Sequence, residues 1–297
     1  MGELQSTVDG LYRLGFAGDT LNTAWYVRAL TSPDQVSVDY LTAIGTDQLS
    51  SEMHKFLNKN RIGTEYIKRI SERTIGLYLI TLDGAERSFT YWRSQSAARL
   101  LAEDPTLLRA ALAKADTIYF SGITLAILSS EHRSNLLAVL KERQLDGATI
   151  VFDSNSRRKL WASDAAMMEA MTEAYKITTI ALPTFEDERA VFGDRTPDDS
   201  MKRIADYGVS ESVVKDGPNP CLVYAAGEHR FVSPAAVSGI VDTTGAGDSF
   251  NAGYIAAKLA GMTPTRAAEF AHLVAGRVIC GRGALLEMTI FKDLAFG

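Results

Sequence analysis

The chain has 297 residues, 46 % of them hydrophobic, enough for one large α/β core or two small ones. Its net charge of -5 argues against a nucleic-acid binder, because a phosphate backbone is met by clustered Lys and Arg. Cys221 and Cys280 are the only cysteines and the four histidines are scattered, which excludes a zinc framework and argues against a disulfide scaffold. With no apolar run of about 18 residues and no basic-then-apolar leader, the expectation is a cytoplasmic protein that neither spans nor binds a membrane.

In chain order, the first strong local signal is "TIGLYLITL", "DG", "AERSFTYWR" from residue 74 to 93. Asp-Gly between alternating runs predicts a two-residue hairpin turn, which pairs Leu82 with Ala85, Tyr78 with Phe89 and Gly76 with Tyr91. Opposed residues share a face, so Tyr78, Tyr91 and Arg93 point the same way. Such a hairpin is either an ordinary one with a wet face or a small lid over a ligand.

From residue 100 the pattern alternates. "DTIYFSG" (116–122), "ATIVFD" (148–153), "ITTIALP" (177–183) and "ESVVKDG" (211–217) read as buried strands, with helices near 130–144, 163–175, 185–192 and 197–207. That rhythm predicts a doubly wound, mostly parallel sheet with helices on both faces. Ligands bind beyond the carboxyl ends of such strands, where "SGI", "DSNSR", "LPTFE" and "KDG" fall.

Near the end stands "DTTGAGDSF" (242–250), running on into "NAGYIAAKLAG". A glycine-rich turn that opens a helix leaves backbone N–H groups free at the positive end of the helix dipole, where they can cradle an anion. A Walker loop is excluded because Gly-Lys occurs nowhere, and a dinucleotide fingerprint because Phe250 stands where a third small residue is needed. An acid in that first turn is either a dipole-stabilising residue or a base. A carboxylate repels a bound phosphate, so a nest made only for binding should lack one. A base that takes a proton from a hydroxyl attacking that phosphate has to sit at Asp248.

"DTTGAGDSFNAG" resembles the signature of the ribokinase-like, or PfkB, carbohydrate kinases. "GFAGDTLNTAWYVRAL" resembles their sugar-binding segment, with Ala17 in place of a glycine, and "TAIGTDQLSSEM" the element that follows. The resemblance implies a single ribokinase-like catalytic domain over 1–297, with a small β-sheet lid from about 6–16 and 63–93. By the same resemblance Asp248 is the catalytic base and Gly245, Ala246 and Gly247 form the anion hole. Gly18, Asp19 and Asn22 hold hydroxyls, while Tyr78, Tyr91 and Arg93 reach in from the lid. Asn155 and Arg157 lie between sugar and phosphates, Lys215 and Gly217 along the nucleotide, and Asp242 orders substrate or metal. ATP and Mg²⁺ are implied as cofactors, and a monovalent cation is allowed for.

Within the family, "YWR", "FDSNSRRKLW" and "LPTFEDE" are most similar to the kinases of a 2-keto-3-deoxy sugar acid, whose carboxylate Arg93 or Arg157 would meet. A sibling kinase of fructose, ribose or a nucleoside and a non-catalytic sugar-acid-binding relative are the alternatives. Members that pair their lids make a dimer or a higher even homo-oligomer the expectation, with Leu77, Leu79 and Phe16 on the paired face. The family departs from this chain at two places. Thr184-Phe-Glu-Asp187 stands where Asn-x-x-Glu is common, putting Glu186 and Asp187 forward for metal and phosphate. Members also open with an apolar strand ending in Gly-Glu, so the expectation at Gly2-Glu3 is either a strand before it or a damaged copy.

Overall fold

The computed structural model describes residues 1–6, 10–83 and 86–296. Strands β1 (Gly2–Ser6) and β2 (Tyr12–Phe16) lead into helix α1 (Asp19–Leu30), followed by β3 (Thr42–Ile44), α2 (Gln48–Lys59) and β4 (Ile67–Arg69). The hairpin strands β5 (Leu77–Asp83) and β6 (Glu86–Trp92) come next, then α3 (Pro105–Leu112). The alternating stretch gives β7 (Thr117–Ser121), α4 (Gly122–Ile127), α5 (Ser130–Leu145), β8 (Thr149–Asp153), α6 (Asp164–Tyr175) and β9 (Ile180–Ala181). It continues with α7 (Phe185–Phe192), α8 (Pro197–Asp206), β10 (Glu211–Val214), β11 (Cys221–Ala225) and β12 (Glu228–Val232), and ends in α9 (Ala246–Leu259) and α10 (Pro264–Val278). Helix starts follow local chemistry. Ser129 and Ser163 cap α5 and α6 by accepting from the N–H groups of His132 and Ala166. Thr196 and Asp199 form a reciprocal capping box on α8, with Pro197 preset at its first turn.

The large sheet runs β12-β11-β10-β9-β8-β7, parallel from β7 to β10 and antiparallel beyond. Only Ile180–Ala181 of the stretch 177–183 joins the ladder as a strand, extended by Thr179 N–H to Ile150 O and Leu182 N–H to Phe152 O, both 2.8 Å. Successive residues of β8 enter different cores. Val151 packs with Leu21, Phe250 and Val274 from α1, α9 and α10; Ile150 and Phe152 pack with Leu140 and Met171 from α5 and α6. The sheet is therefore covered on both faces, which is why its strands read as continuous apolar runs.

A small sheet of order β2-β1-β5-β6 stands apart. Its hairpin register corrects the expected one: Tyr78 faces Tyr91, Ile80 faces Phe89 and Asp83 faces Glu86. The expected turn assumed Asp83-Gly84 at its centre, but Asp83 is still in the ladder; Gly84 and Ala85 lie outside the described residues. The pairing slides by two residues, an even step, so Tyr78, Tyr91 and Arg93 still share a face.

Strands β3 and β4 form a separate parallel pair. Gly2 and Glu3 belong to the small sheet, and among the described residues β7 has a ladder partner on one side only, β8. A cleft of about 1360 Å³ is lined by Ala43 and Ile44 of β3, Ile118 and Phe120 of β7, and Tyr78, Phe89 and Tyr91 of the small sheet.

Candidate active site

The cleft collects the ends that α/β geometry leaves free: the carboxyl ends of β7, β8 and β10, and the amino ends of α1 and α9. Gly245 caps α9 at φ 78°, ψ 5°, a left-handed conformation, and a Cβ there would stand 3.0 Å from Ala284 O. The Ala246 N–H turns back to Thr243 O (3.2 Å), and the first helical bond runs from Ser249 N–H to Gly245 O (2.8 Å). The N–H groups of Gly247 and Asp248 lie between these two, at the positive end of the helix, where an anion would be cradled.

Asp248 projects from that turn and accepts a hydrogen bond from Asn22 Nδ2 at 2.7 Å. Asn22 is itself oriented by the Gly18 N–H, which donates to its Oδ1 at 3.2 Å; Gly18, at φ 151°, adopts a conformation open chiefly to glycine. Desolvation by the cleft walls, then the neighbouring Asp19, pushes the Asp248 carboxyl up to about 7. Asp19 is also raised, chiefly by desolvation; it accepts from Ser121 Oγ and, at 3.4 Å, from Asn155 Nδ2. Asn155 has a positive φ of 28°, and its N–H donates to Asp153 Oδ1 at 3.2 Å.

From the small sheet, Tyr78 and Tyr91 line the cleft with their rings 5.8 Å apart, and Tyr78 donates its hydroxyl to Glu3. The Arg93 guanidinium lies 4.3 Å from the centre of the Tyr91 ring, a cation–π contact. Desolvation lowers the Arg93 pKa; Tyr91 and Asp19 oppose that shift, and the charge of Arg157 adds a smaller lowering. Neither guanidinium has an ion-pair partner among the described residues; Arg157 donates to Ser156 O at 2.7 Å.

The structure thus brings together Gly18, Asp19, Asn22, Tyr78, Tyr91, Arg93, Asn155, Arg157, Lys215, Gly245, Ala246, Gly247 and Asp248. Asp242 and Gly217 are not in the cleft lining. The Asp242 oxygens accept from the N–H groups of Thr244 (3.0 Å) and Gly283 (2.7 Å), which ties two loops together, and Gly217 sits in the turn after β10 at φ 56°. Thr184, Glu186 and Asp187 do line the cleft; Asp187 accepts from Ser156 Oγ at 2.8 Å and is raised chiefly by desolvation. Sequence reasoning missed Asp153, Asn251 and Ser121. Asp153 carried a signal, as the polar end of an apolar strand, and so did Asn251, three residues after Asp248 on one helix face.

The raised Asp248 carboxyl has a consequence for stability. Between its ordinary value of 3.8 and about 7 the folded chain holds a proton that the unfolded chain has released. The stabilisation from that proton is complete below the unfolded value and is lost as pH rises through about 7. Asp248→Asn, which cannot ionise, should raise the melting temperature more at pH 8 than at pH 5. Calorimetry at both values checks this, and a gain that is equal or larger at pH 5 would reverse the assigned sign.

Residues 8–289 match the model of the pfkB family carbohydrate kinases. A 2-dehydro-3-deoxygluconokinase of Dickeya dadantii (strain 3937) is 41 % identical over 280 residues, covering 92 % of this chain and 90 % of the relative. Among solved structures, 2-dehydro-3-deoxygluconokinase of Thermotoga maritima superimposes with a TM-score of 0.83 at 21 % identity, over 100 % of this chain and 96 % of its own. A chain of Escherichia coli solved with ATP and Mg²⁺ under the name Ribokinase II gives 0.82 at 20 % identity, over 95 % and 91 %. The doubly wound sheet, the separate small sheet and the glycine turn that opens α9 are features of one family, and this chain belongs to the pfkB carbohydrate kinases.

Proposed function

We propose that this chain transfers the terminal phosphoryl group of ATP to the 6-hydroxyl of 2-dehydro-3-deoxygluconate. The observation that carries the reading is the Asp248 carboxylate, poised near neutrality in the first turn of a helix whose free N–H groups can hold a phosphoryl group. Asp248 takes the hydroxyl proton as that oxygen bonds to phosphorus; the bond from phosphorus to the bridging oxygen breaks and ADP leaves. The Gly245–Gly247 turn serves as the anion hole through the N–H groups it leaves free, those of Gly247 and Asp248, while the Ala246 N–H is taken by Thr243 O. Gly18, Asp19 and Asn22 hold the sugar hydroxyls, and the nucleotide runs from Asn155 and Arg157 towards the turn at Gly217.

The sugar-acid assignment has support of two kinds. The Dickeya dadantii relative carries that name at 41 % identity. Arg93 and Arg157 line the cleft as two guanidinium groups without ion-pair partners among the described residues, and a substrate carboxylate supplies one. A neutral sugar would leave both unpaired, which disfavours a fructose or ribose substrate. Among the described residues no three acidic, histidine or cysteine side chains converge on a metal. Mg²⁺ would be held mainly by phosphate oxygens and water, with Glu186 and Asp187 as candidates in the cleft wall. When bound, the ion neutralises phosphate charge.

The small sheet acts as a lid and as a contact between copies. Its outer face alternates away from the cleft and carries Leu4, Tyr12, Leu14, Leu79 and Trp92, with Tyr12 58 % and Trp92 54 % exposed. A second copy of the chain covers this apolar face, giving a dimer or a higher even oligomer.

With ATP and Mg²⁺ in a panel of sugars and sugar acids, 2-dehydro-3-deoxygluconate should be turned over best, and Asp248→Asn should lose about 10²–10⁴ in kcat; near-normal turnover in that variant removes the base. Arg93→Ala should raise KM for the sugar acid by roughly 10–150-fold, the worth of a charge-assisted hydrogen bond, and leave KM for ATP nearly unchanged. Light scattering at micromolar concentration should give an even multiple of the chain mass, and a monomer there refutes the pairing.

A further inference from the structure

Lys215, just past the end of β10, is 7 % exposed, and its ammonium turns inward beside the first turn of α9. Nζ donates to Asn251 Oδ1 at 2.8 Å and to Asp153 Oδ2 at 3.3 Å. Asn251 Nδ2 donates to the same Asp153 oxygen at 2.7 Å and lies 3.2 Å from the Tyr119 hydroxyl. Asn251 is fully buried and Asp153 is 3 % exposed. A Cβ built on Gly247 would find Nζ at 3.8 Å. The cation thus lies beside the cradle at Gly247.

A lysine that ligates phosphate is a flexible point charge reaching out of its wall. Lys215 is held at both ends of its hydrogen-bonding, and swinging out would strand the buried Asp153 and Asn251. We propose that Lys215, fixed by Asp153 and Asn251, is a positioning residue that places a permanent positive charge beside the Gly245–Asp248 turn and keeps Asp248 ionised when the hydroxyl arrives, rather than a ligand of the nucleotide. This rests on the phosphotransferase reading above.

The groups facing Asp248 come from five elements. Asp19, Tyr26 and the neutral Asn22 face it from α1, Tyr78 from β5, Tyr119 from β7, Asp153 from β8, and Lys215 from the end of β10. The tyrosine hydroxyls are all raised, chiefly by burial, and stay neutral. Burial and then Asp19 do most to raise the Asp248 carboxyl; the Asn22 hydrogen bond opposes them, Asp153 adds to the rise, and Lys215 is the one cation that offsets it.

The test titrates the Asp248 carboxyl by ¹³C NMR of aspartate-labelled, ligand-free protein, with Asp248→Asn assigning the resonance. Wild type should titrate near 7. Lys215→Met should move that midpoint up by about 1 pH unit or more, the size expected when an opposite charge a few ångströms away is removed. Asp153→Asn should move it down, since it removes a like charge. Lys215→Gln, which keeps a donor for both partners and drops only the charge, is read in the same way if the Met variant does not melt cooperatively. In steady state the acid limb of kcat/KM should follow the midpoint, giving Lys215→Met a loss of roughly tenfold below the limb that recovers at high pH, with KM for ATP nearly unchanged. A midpoint that stays put or falls in the uncharged variants overturns the proposal, as does a loss confined to KM for ATP. The titration needs no substrate, so it decides the role of Lys215 even if wild type phosphorylates no sugar acid, a result that would overturn the function instead.

Discussion

Three carboxylates, Asp19, Asp153 and Asp248, face one another around a single cleft, and their mutual repulsion is the constraint that the surrounding structure answers. Charges this close in a partly dry site cannot all ionise freely. The answers differ by residue. Asp153 is matched by Lys215 and saturated by Asn251 and the Asn155 N–H. Asp19 takes hydrogen bonds from Ser121 and Asn155. Asp248 receives one amide, from Asn22, and is left with a proton affinity near neutrality. Unequal compensation thus gives three side chains of the same residue type three different surroundings.

The fold supplies this arrangement cheaply. Ser121, Asp153 and Lys215 lie at or just beyond the carboxyl ends of three strands in the parallel part of the sheet, so ladder hydrogen bonds fix their spacing. Asp19 and Asp248 begin two helices that pack on one face of that sheet, and the Thr23 hydroxyl, donating to Asp248 O at 3.3 Å, ties the two helix starts together. Each side chain stands on a rigid element, as a site needs if it is to hold its groups within a fraction of an ångström.

How much of this was legible follows from how local each feature is. The turn at Gly245 and the acid at Asp248 sit within a few residues of each other, so backbone chemistry alone pointed to them. Strand ends such as "DSNSR" were legible because apolar runs have a definite length. The Lys215–Asp153–Asn251 contact was not, because it joins residues 36 and 62 positions apart and depends on the register of three strands. The same holds for Tyr78 and Glu3, brought together by a parallel pairing across 75 positions. Asp242, the acid at the edge of the motif, lies outside the cleft lining, and its oxygens accept from the N–H groups of Thr244 and Gly283, the second of which is 41 positions away and out of reach of a local reading.

The even slide of the β5–β6 pairing shows how the hairpin can vary. Residues beyond the last pair at Asp83 and Glu86 do not enter the count, so the tip can lengthen without reaching the cleft. Inside the ladder only parity matters. Two residues gained or lost between the tip and Tyr91 would keep Tyr91 and Arg93 over the site. A single one would turn both to the outer surface and bring Trp92 inward, exchanging a guanidinium for an indole at the cleft wall. Insertions and deletions in this arm therefore change which side chains line the cleft by their oddness rather than by their length.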